Sequence, residues 1–221
     1  QESRGLGDVY KRQAITELLS SEEVYDLLRQ IDVITNEVVN HFKGEIMSYV
    51  GDAQMIAFNA GMDVEDHPIQ AVKTALEINK RIKLLEKKLH VEKKENFPFK
   101  LRMGFGINTG IGLIGVRGGS NKLEPFVIGD TTNTAVRLQK LTREVDYNIL
   151  VSSATAARIS GNFKVRDLGL FALKGKRNPT RVYAVEEKDD KKPRPLAIKP
   201  QHGYRPSFIR PETKKPNFYR Y

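Results

Sequence analysis

The chain has 221 residues, with 37 Lys+Arg against 27 Asp+Glu, a formal net charge of +10, no Cys and no Trp. Zero Cys excludes a disulfide scaffold, a Cys-ligated zinc site and a thiol nucleophile, and fits a reducing compartment. No apolar run approaches the ~18 residues that span a bilayer and the N-terminal residues show no apolar signal-peptide core, so a cytoplasmic location is expected, with a membrane-anchored parent protein as the alternative.

In chain order, the first residues fit no structural period. Residues 3–13 (SRGLGDVYKRQ) read as a segment foreign to the fold, and the chain begins with Gln. Ser20 and Glu23 then form a capping-box pattern. Val24, Leu27, Leu28, Ile31, Ile34, Val38 and Val39 follow at helical spacing, which predicts a helix over 21–42. Glu45–Tyr49 and Ala53–Phe58 read as a hairpin turned at Gly51-Asp52. A long helix starts at Asp66-His67-Pro68, where Pro is tolerated in the first turn. Its apolar stripe is Val72, Ala75, Ile78, Ile82, Leu85 and Leu89.

Strands are expected at Phe99–Asn108, Ile111–Val116 and Pro125–Ile128, with Gly118-Gly119-Ser120 as a turn. Gly129-Asp130 opens a helix over Thr131–Thr142, and Asp130 reads as a partner of its N-terminal dipole. Ile149–Val151, Phe163–Leu168, Phe171–Leu173 and Val182–Val185 complete the strands, and Ser152-Ser153 caps a helix over about 153–159. Hairpins interleaved with helices make this an α+β fold with a mixed, mainly antiparallel sheet flanked by helices.

The charge is concentrated at the C-terminal end. Residues 188–221 hold ten Lys/Arg, three acids and six of the ten prolines, a net +7 that leaves +3 for residues 1–187. Pro removes amide donors and fixes φ, so this stretch reads as an extended, basic, disordered tail. Its simplest role is solvation. Its functional alternative is a tether to nucleic acid or an acidic membrane, aided by Tyr204, Phe208, Phe218 and Tyr219.

Gly110-Ile-Gly112-Leu-Ile-Gly115 matches the spacing of a dinucleotide-binding fingerprint. That motif works only where the glycines open a helix facing a pyrophosphate. Here a hairpin turn is expected to follow, so these glycines read as sites of close backbone approach instead.

Four segments occur in order: Tyr49-Val50-Gly51-Asp52-Ala53; Gly104-Phe-Gly106-Ile-Asn-Thr-Gly110; Phe126-Val-Ile-Gly129-Asp130-Thr-Thr-Asn133-Thr-Ala-Val-Arg137-Leu138; and Leu173-Lys174-Gly175-Lys176 ahead of Arg181-Val-Tyr183. This order and spacing resembles the catalytic domain of class III adenylate/guanylate cyclases of bacterial type, from about Ala14 to Glu186. The resemblance implies three parts: the foreign segment 1–13, a cyclase catalytic domain over 14–187 that lacks its first strand, and the tail 188–221.

The resemblance also implies the chemistry. Cyclisation of ATP to cyclic AMP and pyrophosphate is phosphoryl transfer, which depends on positioning and charge neutralisation. In the family, the residue matching Asp52 binds metal, Mg²⁺ or Mn²⁺. Hard cations favour carboxylates, although Gly-Asp is also an ordinary hairpin turn. Asn133 and Arg137 lie four apart and so share a helix face. By family position, Asn133 orients the ribose and Arg137 stabilises charge on the phosphate, a task suited to a planar guanidinium. Lys174, with Lys176 beside it, matches a lysine that contacts the polyphosphate.

The chain departs from the family in two places. A second metal-binding Asp normally ends the opening strand, and that place falls in 3–13, where Asp8 is the acid nearby. The purine-selecting positions, often Lys paired with Asp or Thr, are Ser48 and Phe126. Ser48 can hydrogen-bond a base edge, and Phe126 can stack on a purine or fill core. ATP is expected over GTP because adenylyl activity is the commoner in bacterial-type members. Family sites form between two domains, so a homodimer driven by an upstream sensor is expected. The alternative is a degenerate cyclase-like module that dimerises or regulates without turnover.

Overall fold

The computed structural model describes residues 19–51, 53–93, 100–119, 122–176 and 178–186. The expectations for Asp8, Asp52, the segment 1–13 and the tail 188–221 lie outside these residues. The elements are α1 (Ser21–His41), β1 (Gly44–Val50), β2 (Ala53–Phe58), α2 (His67–Lys93), β3 (Phe105–Ile107), β4 (Leu113–Gly119), β5 (Lys122–Ile128), α3 (Asp130–Leu141), β6 (Ile149–Ser152), α4 (Ser153–Ile159), β7 (Val165–Phe171) and β8 (Thr180–Val185).

The expected capping box starts α1. Ser20 Oγ accepts from the Glu23 amide at 3.2 Å, and Glu23 Oε2 accepts from the Ser20 amide at 2.9 Å. This satisfies two amides that a helix start otherwise leaves orphaned. The whole predicted stripe of α2 is buried, from Val72 to Leu89. It packs against α1 through Leu27, Val38 and Val39, and its N-terminal part reaches β6 and α4.

A four-stranded sheet runs in the order β3-β6-β8-β7, with β3 parallel to β6 and the other pairs antiparallel. β6 is buried along its length. Leu150 faces a cluster with Leu138, Leu168 and Val182, whereas Ile149 and Val151 face Val72, Ala75 and Ile159. Alternate residues therefore enter two separate cores, as expected of a strand covered on both faces. The hairpins β1–β2 and β4–β5 are separate two-stranded units. Together the elements form the mixed α+β architecture, mainly antiparallel, that the patterning predicts.

Three local expectations are corrected. Residues 163–168 and 171–173 are not two strands: Val165–Phe171 is continuous and absorbs the break as an irregularity between Asp167 and Gly169. The Asp167 carboxylate accepts from the Gly169 amide at 2.8 Å at that point. Gly118 and Gly119 do not form a turn but continue β4, paired with Leu123 and Lys122. Pro125 accordingly sits inside β5 opposite Val116, and among the described strands β5 pairs with β4 alone, which leaves room for a residue without an amide donor. The strand foreseen at 99–108 is regular over Phe105–Ile107, with residues 100–104 irregular.

A cavity of about 520 Å³ lies between β2, α2, β3 and α3. Ile56 and Phe58, Ala71 and Ala75, Gly106, and Ala135 contribute walls from these elements. Among the described strands, β2 pairs with β1 alone and β3 with β6 alone.

Candidate active site

The site centres on α3. Gly129 precedes this helix with φ 145°, a conformation that side-chain-bearing residues rarely adopt, so the chain turns sharply from β5 into the helix. Asn133 is exposed in the first turn, and Arg137, one turn later, is half-buried. They share a face, as their spacing predicts.

Three contacts fix α3 relative to the sheet. The first is the close approach of Gly106 on β3. A Cβ there would lie 2.9 Å from Gln139 Cα and closer still to the Ala135 carbonyl. Only glycine lets the helix backbone settle onto the strand here. The second contact pins the helix start. Asn108 Nδ2 donates to the Thr131 carbonyl at 3.0 Å, and Asn108 Oδ1 accepts from Ser152 Oγ at 2.6 Å. Thr131 Oγ1 donates to the Ile111 carbonyl at 2.5 Å. The third contact closes the far end. Arg102 Nη2 donates at 2.9 Å to the carbonyls of both Thr142 and Val145, and Arg102 Nε donates at 2.8 Å to Asn148 Oδ1. A guanidinium at the negative end of a helix is electrostatically favoured.

The β7–β8 loop meets α3 from the other side. A side chain on Gly175 would begin 3.1 Å from Arg137 Nη2, so the loop backbone lies against the guanidinium. Lys176 Nζ reaches back to Asp130 Oδ2 at 2.8 Å. This hydrogen bond is the main cause that holds the Asp130 carboxyl below its usual range, with the charges of Lys176 and Arg137 acting in the same direction. Lys174, in the same loop, is exposed. Arg137 and Lys176 thus place cationic charge around one acid, with Lys174 exposed in the same loop. Such an arrangement can hold a polyanion and stabilise negative charge on a phosphoryl group.

The structure brings together Asn133, Arg137 and the loop carrying Lys174. Ser48 and Phe126 lie elsewhere, on the neighbouring strands β1 and β5. Ser48 is half-buried opposite Met55. The half-buried Phe126 ring folds over Gly115 of its own hairpin, where an added Cβ would meet ring carbons at 2.9 Å. Gly115 therefore belongs to a strand, and no helix follows the 110–115 glycines.

Asn108, Thr131, Arg102 and the Asp130–Lys176 pair were not singled out by sequence reasoning as site supports. The partners lie between 20 and 46 residues apart, and no local pattern marks them. Among the described residues, no group of three or more His, Asp or Glu side chains could hold a metal ion. Among the described residues, too, no helix is long and apolar enough to cross a membrane.

The β4–β5 hairpin leaves a band of apolar side chains in solvent. Leu113 and Ile128 are cross-strand partners exposed at 65% and 52%, with Ile114 and Val116 also exposed, and Ile111 just ahead of β4 is exposed too. Val136 on α3 is exposed as well.

Residues 6–187 match the family model for the adenylate and guanylate cyclase catalytic domain. The chain is 29% identical over 178 residues to adenylate cyclase 1 of Rhizobium meliloti (strain 1021), an alignment that covers 80% of this chain and 26% of that protein. The chain therefore spans about a quarter of that relative. The crystal structure of the adenylyl cyclase CyaB from P. aeruginosa superposes with a TM-score of 0.70 at 26% identity, covering 79% of this chain and 88% of that one. The guanylate cyclase domain of RhGC from Catenaria anguillulae, solved in complex with GTP, superposes with a TM-score of 0.66 at 25% identity, covering 79% and 89%.

Proposed function

The chain belongs to the adenylate and guanylate cyclase catalytic-domain family, and from that premise we propose that it cyclises ATP to 3′,5′-cyclic AMP with release of pyrophosphate, in intracellular signalling. The observation that carries this reading is that the Lys174-bearing loop lies against Arg137 and pairs with Asp130 on the helix that also carries Asn133.

In the reaction the ribose 3′-oxygen attacks the α-phosphorus. The proton of the 3′-hydroxyl passes to solvent water, and the bond from the α-phosphorus to the bridging oxygen of the pyrophosphate breaks. Negative charge builds on the α-phosphoryl oxygens and on the leaving group. Arg137 offers a planar pair of donors to the α-phosphoryl oxygens. Lys174 meets the polyphosphate, and Asn133 orients the ribose. A divalent cation, Mg²⁺ or Mn²⁺, with Asp52 as a ligand, would supply further charge neutralisation when bound.

Asn133 and Arg137 line neither the 520 Å³ cavity nor the open cleft beside the β7–β8 loop. Asn133 stands exposed on α3, and Arg137 lies half-buried against the β7–β8 loop. The exposed apolar band of β4–β5 is the kind of surface that a second copy covers, and it supports a homodimer with composite sites. A cytoplasmic setting and an upstream sensor complete the proposal.

ATP as substrate is supported by the adenylate cyclases among the similar proteins. The test is kcat/KM for ATP and for GTP in Mn²⁺ and in Mg²⁺. A value for ATP at least tenfold higher supports the assignment, and a preference for GTP reverses it.

A further inference from the structure

Two lysines two residues apart lie in the same loop, and the structure gives them different surroundings. Lys176 is 22% exposed and committed to Asp130, whereas Asp130 itself is 74% exposed. Lys174 is exposed and, among the described residues, makes no ion pair. The Lys176 amide also donates to the Leu173 carbonyl at 3.0 Å, closing a tight turn over Gly175. That turn is the piece of backbone lying on Arg137.

An ion pair this exposed contributes little to global stability. What it fixes is geometry. It joins the first residue of α3 to the loop across 46 residues of sequence. Asn133 and Arg137 ride on the same helix.

Resting on the cyclase reading, we infer that Asp130 and Lys176 form a positioning brace that seats the β7–β8 loop on α3, leaving Lys174 as the loop's phosphate-binding cation. Lys176 then keeps its bond to Asp130 when nucleotide is bound. Asp130 and Lys176 are positioning residues that act through the loop, and the polyphosphate contact belongs to Lys174.

The test compares Asp130→Asn, Lys176→Met, their double variant, and Asp130→Glu as the conservative control. Amide hydrogen exchange across residues 173–176 is measured beside kcat and KM for ATP. The brace predicts exchange about two- to fivefold faster in either single variant, with no further increase in the double. It predicts kcat/KM lowered by a similar factor in both singles, and substantial recovery in Asp130→Glu. Lys174→Ala should raise KM by more than either.

A lower KM in Asp130→Asn together with a higher KM in Lys176→Met would overturn the inference, since Asp130 would then be competing with phosphate for Lys176. Unchanged exchange in both singles would also overturn it. Should the wild type yield no cyclic product from ATP or GTP, the cyclase reading fails, and the exchange measurement still decides whether the brace exists.

Discussion

Gly106 of β3 and Gln139 of α3 approach so closely that a methyl group on Gly106 would sit 2.9 Å from Gln139 Cα. This contact sets the height of the helix above the sheet, and with it the position of Arg137, two residues before Gln139. A methyl here meets backbone on a rigid helix, so the helix must shift. Gly106→Ala should cost about 1–3 kcal/mol in urea unfolding. Its kcat should fall in any variant that still folds. A variant of wild-type stability would mean that the helix rides higher than described.

Arg137 is half-buried beneath the loop, and its proposed work is on charge that appears during reaction. Arg137→Ala should lower kcat by about 10²–10³-fold while thermal unfolding stays near that of wild type. Arg137→Lys should recover little, since one ammonium cannot reproduce the planar fork. A substantial rescue by Lys would argue for a point-charge role instead.

Much of this arrangement is legible in the sequence, and the reason is local periodicity. The α2 stripe from Val72 to Leu89 and the Ser20/Glu23 cap are short-range patterns, and each appears as expected. The spacing of Asn133 and Arg137 places them on one face for the same reason. The merging of two expected strands into Val165–Phe171 was not legible, because an Asp167–Gly169 irregularity looks like a break in alternation. Nor was the pairing of Asp130 with Lys176, which depends on tertiary placement. Asp130 is at the helix start, as expected of a dipole partner, but it also anchors the loop.

The apolar band on β4–β5 gives a prediction about assembly. Leu113→Glu with Ile128→Glu places charge on both members of an exposed cross-strand pair. Sedimentation equilibrium should show a dimer in wild type and a monomer in this variant, with specific activity lost in parallel. A fully active monomer would remove the composite-site reading.

Composite sites also predict complementation. Asp52→Asn and Arg137→Ala should each be inactive alone. After mixing and subunit exchange, half of the dimers pair one variant with the other and hold one intact site, so activity should return to about a quarter of wild type. No recovery, with exchange shown by labelled chains, would place both residues in one chain's site.

His67 opens α2, and its pKa is lowered by burial first and by the charge of Arg158 second. The fold therefore favours the neutral ring. In the unfolded chain the ring takes up a proton near pH 6.5, so its full contribution is present above that value. The contribution is lost as pH falls through the folded pKa, which lies lower. Thermal stability should decline from pH 7.5 to 5.5, and His67→Gln should flatten that decline. An unchanged slope would assign it to other groups.

The most direct measurement of the central claim is the product formed from ATP with excess Mn²⁺, resolved chromatographically for wild type and Arg137→Ala at equal folded concentration. The account predicts 3′,5′-cyclic AMP and equimolar pyrophosphate from the wild type, with both nearly abolished in the variant. A well-folded dimer that yields no cyclic product from ATP or GTP would contradict it and leave a cyclase-like module without turnover. Equal product from the Arg137→Ala variant would show that cyclisation occurs without the helix placed at its centre.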